Sequence, residues 1–265
     1  MTDHSKNNCN RLRSEAAFEN ARVQARLSGV ERPRSKFRFL MIRARHDYEK
    51  ALSNAKNKTV VVIGCSTGGV VPLARSGAFV IGIDISESAL FNLIESVDRQ
   101  KMKENIHILA MNAEQPGFKD NSIDIVCCTG VLHHLDIDVS LSRWSCILKK
   151  NGRLVMMEPC AYNPLVALYR ILTPRLRTPD EHPLRYSDIK LLKKYFHNVT
   201  IQGYAMLSML SLILQPIPYL NKFMLPLAKA ADRLDSLLLK QFPWLAMFCR
   251  TIIIEAENPK KGVIS

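Results

Sequence analysis

The chain has 265 residues, 47% of them hydrophobic and 23% charged, which describes a globular protein with an ample core. Its seven cysteines form no Cys-x-x-Cys pair and no metal-like spacing with histidine, so they argue against a metal site and favour reduced thiols in a cytoplasmic protein. The net charge of +13 is uneven: residues 59–142 carry −5 between flanks of +8 and +10, and basic flanks suit an anionic substrate, a membrane surface or nucleic acid.

The first 58 residues are polar and basic, without the apolar run that a signal peptide needs. We expect residues 1–10 to be disordered and residues 11–28 and 40–55 to be helical. Residues 1–58 are therefore interpreted as an N-terminal helical, basic cap.

The stretch from Val60 to Gly69 organises the rest of the chain. Its four leading apolar residues predict a strand buried on both faces, and a glycine-containing turn and a helix from Val70 follow. Asp84 ends a second apolar strand, 20 residues after Gly64. Nucleoside-binding α/β folds place an acid there to bind a ribose. The pattern therefore predicts a nucleoside site.

Strands and helices then alternate. We expect a helix over 86–99 with Ser86 as its N-cap, strands at 106–110 and 123–128, a helix closed by Asn151 and Gly152, and a fifth strand at 153–158. Such alternation predicts a parallel sheet with right-handed crossovers.

After Pro159 the pattern changes. Helices are expected at 164–172 and 187–196, a sixth strand at 198–204 and a seventh at 251–256. Between these strands, residues 205–249 are apolar but broken by four prolines, and no uninterrupted run reaches the ~20 residues of a membrane-spanning helix. We divide the chain after the cap into a core (59–204 and 250–258), an apolar helical insertion (205–249) and a tail (259–265).

Blocks in residues 59–160 resemble, in order, those of class I S-adenosylmethionine-dependent methyltransferases, of the sort similar to ubiquinone- and menaquinone-biosynthesis enzymes. They are Ile63-Gly64-Cys65-Ser66-Thr67-Gly68, Gly82-Ile83-Asp84-Ile85-Ser86, Asn112-Ala113-Glu114, Asn121-Ser122-Ile123-Asp124 and Val131-Leu132-His133-His134-Leu135. The resemblance implies a Rossmann-like α/β fold: a seven-stranded sheet, mostly parallel with an antiparallel last strand, and a helical insertion between strands six and seven.

The resemblance also implies that the cofactor is S-adenosyl-L-methionine. Asp84 would accept both ribose hydroxyls, and Ile85 would pack on the adenine. The implied cofactor-binding residues are Gly64, Cys65, Ser66, Gly68, Asp84, Ile85, Asn112, Ala113, Glu114, Thr129 and Gly130.

Three residues depart from the family pattern. Val62 stands where an acid often helps to hold the methionine amino group. Ser66 replaces a usual glycine, and Asn112 stands where aspartate is common.

Methyl transfer asks little of the protein, because the sulfonium methyl is already electrophilic and positioning supplies much of the rate. A phenol or enol acceptor would need a base, and His133 or His134 is either that base or part of the structural and cofactor packing. Weaker predictions for substrate contacts are Glu158, Tyr162, His182 and Tyr186.

We predict methyl transfer to a small lipophilic or amphiphilic metabolite, with O- or C-methylation favoured and the insertion serving as a substrate lid. A peripheral membrane contact is compatible with this reading, nucleic acid is disfavoured, and the oligomeric state is open. Two alternatives stand beside it. One is a non-catalytic, partner-binding subunit of methyltransferase type, and the other is a short-chain NAD(P)-dependent oxidoreductase that would use Tyr186 and Lys190.

Overall fold

A seven-stranded sheet forms the centre of the molecule, in the order β3-β2-β1-β4-β5-β7-β6. The computed structural model describes residues 3–28, 39–65, 69–100, 103–172, 181–214 and 219–262. The strands are β1 (Thr59–Ile63), β2 (Phe79–Asp84), β3 (Ile106–Ala110), β4 (Ile123–Thr129), β5 (Leu148–Pro159), β6 (Phe196–Tyr204) and β7 (Thr251–Pro259). β7 runs antiparallel to β5 and β6, and the other pairs are parallel. The predicted Rossmann-like sheet with an antiparallel last strand is confirmed.

Helices pack on both faces of this sheet. They are α1 (Asp3–Leu27), α2 (Ile42–Ala51), α3 (Val70–Arg75), α4 (Glu87–Arg99), α5 (Ile137–Ile147), α6 (Pro164–Leu172), α7 (Tyr186–Tyr195) and α8 (Met224–Gln241). Alternate residues of each strand point to opposite faces. Apolar residues of α3 and α4 therefore cover one face, and residues of α5 and α7, including the fully buried Trp144 and Tyr195, cover the other.

Two boundaries differ from the prediction. α1 begins at Asp3, so the segment expected to be disordered is helical from that residue onward. Asn151 and Gly152 do not close a helix, because β5 already begins at Leu148 and contains an irregularity before Arg153. A Cβ on Gly152 would lie 2.9 Å from the Lys149 carbonyl oxygen, so this tight bend needs glycine.

The predicted helical insertion is present between β6 and β7. It contains 3₁₀ turns at Leu207–Leu214, Asn221–Phe223 and Pro243–Phe248, together with α8. No helix among the described residues combines the length and apolarity needed to cross a bilayer.

A buried carboxylate holds the start of the insertion. Asp235, on α8 and with no exposure, accepts hydrogen bonds from the backbone N–H groups of Met206 (3.1 Å), Leu207 (2.8 Å) and Ser208 (3.2 Å). These donors belong to the first turn of a 3₁₀ helix and have no partner within it, so Asp235 acts as a cap from a distant part of the chain.

A second contact fastens α8 to the cap. Arg43 of α2 donates to the Ser236 hydroxyl, pairs with Asp232 at 3.1 Å and lies 5.1 Å from the centroid of the Tyr204 ring. Asp235 thus holds the insertion together from within, and Arg43 attaches it to the cap.

Asp235→Ala is expected to speed hydrogen exchange at the Met206, Leu207 and Ser208 amides by about 10- to 100-fold, since a hydrogen bond to a charged group contributes about 1.5–3 kcal/mol. Exchange measured by mass spectrometry or NMR checks this. The matched control is Asp232→Ala on the same helix, which should leave these amides protected. Unchanged exchange in Asp235→Ala would contradict the assigned capping role.

Candidate functional site

Three neighbouring strands end at one edge of the sheet. Ile63 of β1 is in register with Ile83 of β2 and with Cys128 of β4. The residues that follow each, Gly64, Asp84 and Thr129, therefore lie at one level across the carboxyl edge. Ligands of doubly wound sheets bind at this edge.

Glycines allow the main chain to bend and pack closely at two of these strand ends. Gly64 has a φ of +79°, and a Cβ there would lie 2.4 Å from the Val131 side chain. Gly130 has a φ of +64° and donates its N–H to the Met157 carbonyl at 2.9 Å. Both positions adopt a conformation that favours glycine, and they leave room for a ligand to contact the main chain.

Asp84 is half-buried at the end of β2, where its Oδ1 accepts the Ser86 N–H at 2.9 Å. The Ser86 side chain in turn accepts the Ala89 N–H at 3.1 Å, so the predicted N-cap of α4 is confirmed. The Ser86 N-cap fixes the turn and thereby the direction of the Asp84 carboxylate. Ile85 is half-buried between them.

The residues after β3 are held from within the protein. Asn112 Oδ1 accepts the Glu114 N–H at 3.0 Å, and the Ala113 carbonyl accepts the Trp144 indole N–H at 2.8 Å. The Glu114 carboxylate is buried, where it accepts the Asp136 N–H at 2.7 Å and binds Arg11. The side chain of Glu114 therefore shapes the site from behind, and its backbone remains beside the predicted adenine position.

The other predicted residues of the first loop divide into two groups. Cys65 is 3% exposed, its Sγ contacts the Ile83 carbonyl at 3.3 Å, and burial raises the pKa of its thiol, so its side chain belongs to the core. Ser66 and Gly68 lie outside the described residues. Val62 is 3% exposed in the apolar face of β1, where no polar role is open to it.

Glu158 is the central anion of the loop after β4. It has no exposure, and its Oε1 accepts the N–H groups of Val131 and Leu132, each at 3.0 Å. Its Oε2 lies 2.7 Å from Nδ1 of His133. Burial alone would raise the pKa of Glu158, but the hydrogen bond and charge of His133 and the two backbone donors outweigh burial and lower it. The sequence prediction of a substrate contact at Glu158 does not fit this place, because the carboxylate is enclosed by its own chain.

The two histidines, predicted as alternative bases, differ in their surroundings. Their rings pack with centroids 4.2 Å apart. The His133 imidazole is oriented by Glu158, whereas Nδ1 of His134 lies 3.3 Å from the Glu15 carboxylate of α1. Burial lowers the pKa of His134, but the Glu15, Glu181 and Glu158 carboxylates raise it by more. The His134 ring is therefore more readily protonated than that of a free histidine.

α1 lies against the same edge through polar contacts. Arg11 donates to the His134 carbonyl at 2.9 Å as well as to Glu114, and Asn20 Oδ1 accepts from Ser86 Oγ at 2.7 Å and from the Ser88 N–H at 3.1 Å. Sequence reasoning missed these contacts, because Arg11 and His134 are 123 positions apart and nothing in a basic helix singles out one arginine.

Glu181 was also missed. Its Oε1 lies 3.9 Å from Nε2 of His133 and accepts from Arg170 at 2.7 Å. The potential ligand atoms of His133, His134 and Glu181 lie within 4.8 Å of one another, so this is the described cluster most able to hold a cation. Arg170 already supplies a positive charge there.

The remaining predicted substrate residues fall in two places. The His182 N–H donates to the His133 carbonyl at 3.1 Å, which puts it beside the histidine pair. Tyr162 and Tyr186 stack with centroids 5.1 Å apart in an aromatic cluster with Phe248 and Trp244. The Tyr186 hydroxyl donates to the Trp244 carbonyl at 3.0 Å, an arrangement that does not suit the proton donor of an oxidoreductase.

A cavity of about 360 Å³ lies in the seam between the end of β6 and the insertion. Arg43, Gln202 and Lys240 are among its lining residues, and none of the predicted site residues lines it.

Comparison with known proteins agrees with the strand-end geometry. Residues 61–156 match a family model described as a methyltransferase domain. This part of the chain is therefore similar to a methyltransferase domain, as the class I S-adenosylmethionine-dependent resemblance implies. The matched segment runs from β1 into β5 and therefore includes all three strand ends at which Gly64, Asp84 and Thr129 lie.

A curated relative and two solved structures extend the comparison. The chain is 30% identical over 130 residues to a ubiquinone biosynthesis O-methyltransferase of Nitrosomonas europaea, covering 47% of this chain and 53% of that protein. It resembles geranyl diphosphate C-methyltransferase of Streptomyces coelicolor A3(2), solved with Mg²⁺, geranyl-S-thiolodiphosphate and S-adenosyl-L-homocysteine, with a TM-score of 0.55, 15% identity and coverage of 81% of this chain and 75% of that one. It also resembles phosphoethanolamine N-methyltransferase 2 of Haemonchus contortus, solved with phosphomonomethylethanolamine and S-adenosylhomocysteine, with a TM-score of 0.59, 19% identity and coverage of 85% and 56%.

These comparisons cover only part of the curated relatives and show only the fold of the solved structures. The chain spans about half the length of the curated relatives it matches, with 53% and 48% of two ubiquinone biosynthesis O-methyltransferases covered. At 15% and 19% identity, the likeness to solved structures shows the fold alone. The reaction and the acceptor therefore have to be argued from the chain's own residues.

The ion pair between His134 and Glu15 predicts a pH dependence. Because the pKa of His134 is raised above 6.5 in the folded protein, the stabilisation from this pair is fully present below that pH and is lost as the pH rises through the raised pKa. A histidine NMR titration is expected to show a lower pKa for His134 in Glu15→Gln. The matched control is Glu19→Gln, one turn further along α1, which should leave His134 as in the wild type. Identical titration of His134 in wild type and Glu15→Gln would contradict the pairing.

Proposed function

We propose that the protein transfers the methyl group of S-adenosylmethionine to a small lipophilic or amphiphilic acceptor, with an oxygen or a carbon as the methyl-accepting atom. The observation that carries this proposal is the placement of Gly64, Asp84 and Gly130 at adjacent strand ends on the carboxyl edge. None of the described cysteines is in a disulfide, which supports a reducing, cytoplasmic setting.

The strand ends suit the cofactor residue by residue. The half-buried Asp84 carboxylate would accept the ribose hydroxyls, with its direction fixed by the Ser86 cap. Gly64 and Gly130 would let the main chain contact the methionine part, and the backbone at Ala113 would border the adenine. Bound there, the sulfonium supplies an electrophilic methyl group, and the protein has to place an acceptor in line with it.

The acceptor class is proposed from the insertion and from the relatives. The insertion begins where β6 ends, at the same carboxyl edge, and its residue Met209 shares a buried cluster with Leu40 of the cap. The two joined segments would form an apolar cover over an acceptor. The names of the relatives, ubiquinone biosynthesis O-methyltransferases and a geranyl diphosphate C-methyltransferase, agree with oxygen or carbon as the accepting atom.

We assign His133 as the general base for a hydroxyl or enol acceptor, with Glu158 as its positioning residue. The 2.7 Å contact between Glu158 Oε2 and Nδ1 orients the ring and leaves Nε2 for the acceptor's proton. His134 suits this role less well, because its raised pKa favours the protonated form. We assign His134 the structural role of holding α1 through Glu15.

Asp84→Ala is expected to weaken binding of S-adenosylhomocysteine by about 10²- to 10⁴-fold, because two hydrogen bonds to a charged carboxylate are lost. Calorimetry on the purified protein measures this. Glu104→Ala, which removes an exposed carboxylate next to β3, is the matched control and should bind as the wild type does. Equal affinity in wild type and Asp84→Ala, or binding of NADH in its place, would refute the cofactor assignment.

His133→Asn is expected to lower kcat by about 10²- to 10⁴-fold while the dissociation constant of the cofactor changes little. The assay follows a labelled methyl group from S-adenosylmethionine to polyprenyl phenols and prenyl diphosphates. His134→Asn is the control and should keep kcat within a few-fold. If His133→Asn retained the full rate at every pH tested, positioning alone would carry the chemistry. If the wild type bound cofactor but methylated no acceptor, even in an extract of its source, the non-catalytic alternative would stand.

A further inference from the structure

The outer face of the insertion exposes large apolar side chains. Along α8 and the turns beside it, nine such residues are between 40% and 85% exposed: Tyr219, Leu220, Phe223, Leu225, Leu227, Leu234, Leu237, Phe242 and Trp244. Scattered surface leucines are ordinary, but a set of this size in 26 consecutive residues marks an interaction surface.

Helical geometry orders this face into two stripes. Leu227, Leu234 and Leu237 are exposed at spacings of seven and three, which puts them on one side of the helix. Lys229, Arg233 and Lys240 are also exposed and form a second stripe beside the first. The solvent side of α8 is thus apolar on one half and cationic on the other.

The acidic residues of α8 are turned away from this surface. Asp235 is fully buried under the 3₁₀ turn, and Asp232 is paired with Arg43 at 3.1 Å. Lys222, in the turn before α8, adds another exposed cation. The exposed charge of the described residues 219–244 is therefore positive, in a chain whose net charge is +13.

A second apolar patch stands close by. Leu165 and Val166 of α6 pack on the cluster that contains Ala228 of α8, so the two helices share one support. The outer residues of α6 are Leu168, Tyr169, Ile171 and Leu172, which are 46% to 75% exposed.

We infer that the face formed by α8 and its flanking turns is a docking surface for an anionic lipid bilayer. Leucines beside lysine and arginine, with tryptophan, tyrosine and phenylalanine at the ends, make up the composition of helices that lie in the membrane interface. Each lysine or arginine near an anionic surface adds to the attraction. A second copy of this chain fits less well, because a symmetric contact would bring eight exposed cations together, four from each copy. The surface contains none of the residues assigned to cofactor or base, so the inference does not depend on methyl transfer.

Vesicle binding tests the inference directly. The chain has two tryptophans, of which Trp144 is fully buried and Trp244 is 60% exposed, so a change in tryptophan emission reports the docking surface. Vesicles of phosphatidylcholine with about one-third phosphatidylglycerol should shift the emission to shorter wavelength and cosediment the protein, and added salt should weaken both. The shift should disappear in Trp244→Phe.

Two double variants and matched controls complete the test. Leu234→Ser with Leu237→Ser, and Lys229→Glu with Arg233→Glu, should each lower binding at least about tenfold. Their side chains are exposed, and circular dichroism verifies that both variants fold. The apolar control is Phe91→Ser with Ile94→Ser on α4, where the exposures of 67% and 41% resemble those of Leu237 (68%) and Leu234 (47%). The charge control is Lys119→Glu with Lys150→Glu.

Both controls should bind vesicles as the wild type does. Absence of vesicle binding, or equal binding by all variants, would overturn the inference. A concentration-dependent dimer in sedimentation velocity, lost in the leucine variant and insensitive to vesicles, would assign the face to self-association instead.

Discussion

The Glu158 carboxylate is an anion without solvent exposure, and the loop after β4 is built around it. An ionised carboxylate in such a place is unstable unless its oxygens are fully hydrogen-bonded. The N–H groups of Val131 and Leu132, Nδ1 of His133 and the Cys128 thiol provide that environment. Because Glu158 belongs to β5 and its donors belong to the end of β4, the carboxylate fixes one strand end relative to the next. The position of the His133 ring, and through Val131 the closeness of Gly64, depend on this interaction.

Electrostatic contacts, more than apolar burial, also attach α1 to the site. Within α1 only Glu15 and Val23 are buried among the residues whose side chains are described, and the contacts at the strand ends come from Arg11, Glu15 and Asn20. Polar and charged contacts therefore join α1 to the histidine pair and to the proposed cofactor site, since Arg11 and Glu15 of α1 each contact His134. The insertion is attached differently, through Arg43 of α2, and the buried Asp235 caps its first turn from within. The proposed cofactor site and the proposed docking surface therefore lie on different parts of the chain.

The sheet could be predicted from the sequence because each strand is a local pattern of apolar residues. Apolar runs located all seven strands, and Ser86 and Asp84 were placed correctly, since capping and strand-end acids depend on residues within a few positions.

The site could be predicted only as far as its motifs reach. Glu158 was predicted as the last residue of the fifth strand, but its partners are at least 25 positions away. No sequence motif singles out Asp235, and only the packing of the insertion turns it inward. The sequence predicted the end of α5 too late, because Asn151 and Gly152 signal a turn both at a helix end and at a strand irregularity.

Hydrogen exchange of the unmodified protein, with and without saturating S-adenosylhomocysteine, tests the central claim that the carboxyl edge of β1, β2 and β4 is the cofactor site. Cofactor contact should slow exchange in the segments that end these strands, 64–65, 84–88 and 129–134, together with 112–114 after β3. Exchange in β6 and α8 should be unaffected. Protection confined to the seam between β6 and the insertion, or no protection at a concentration that saturates binding, would contradict the account.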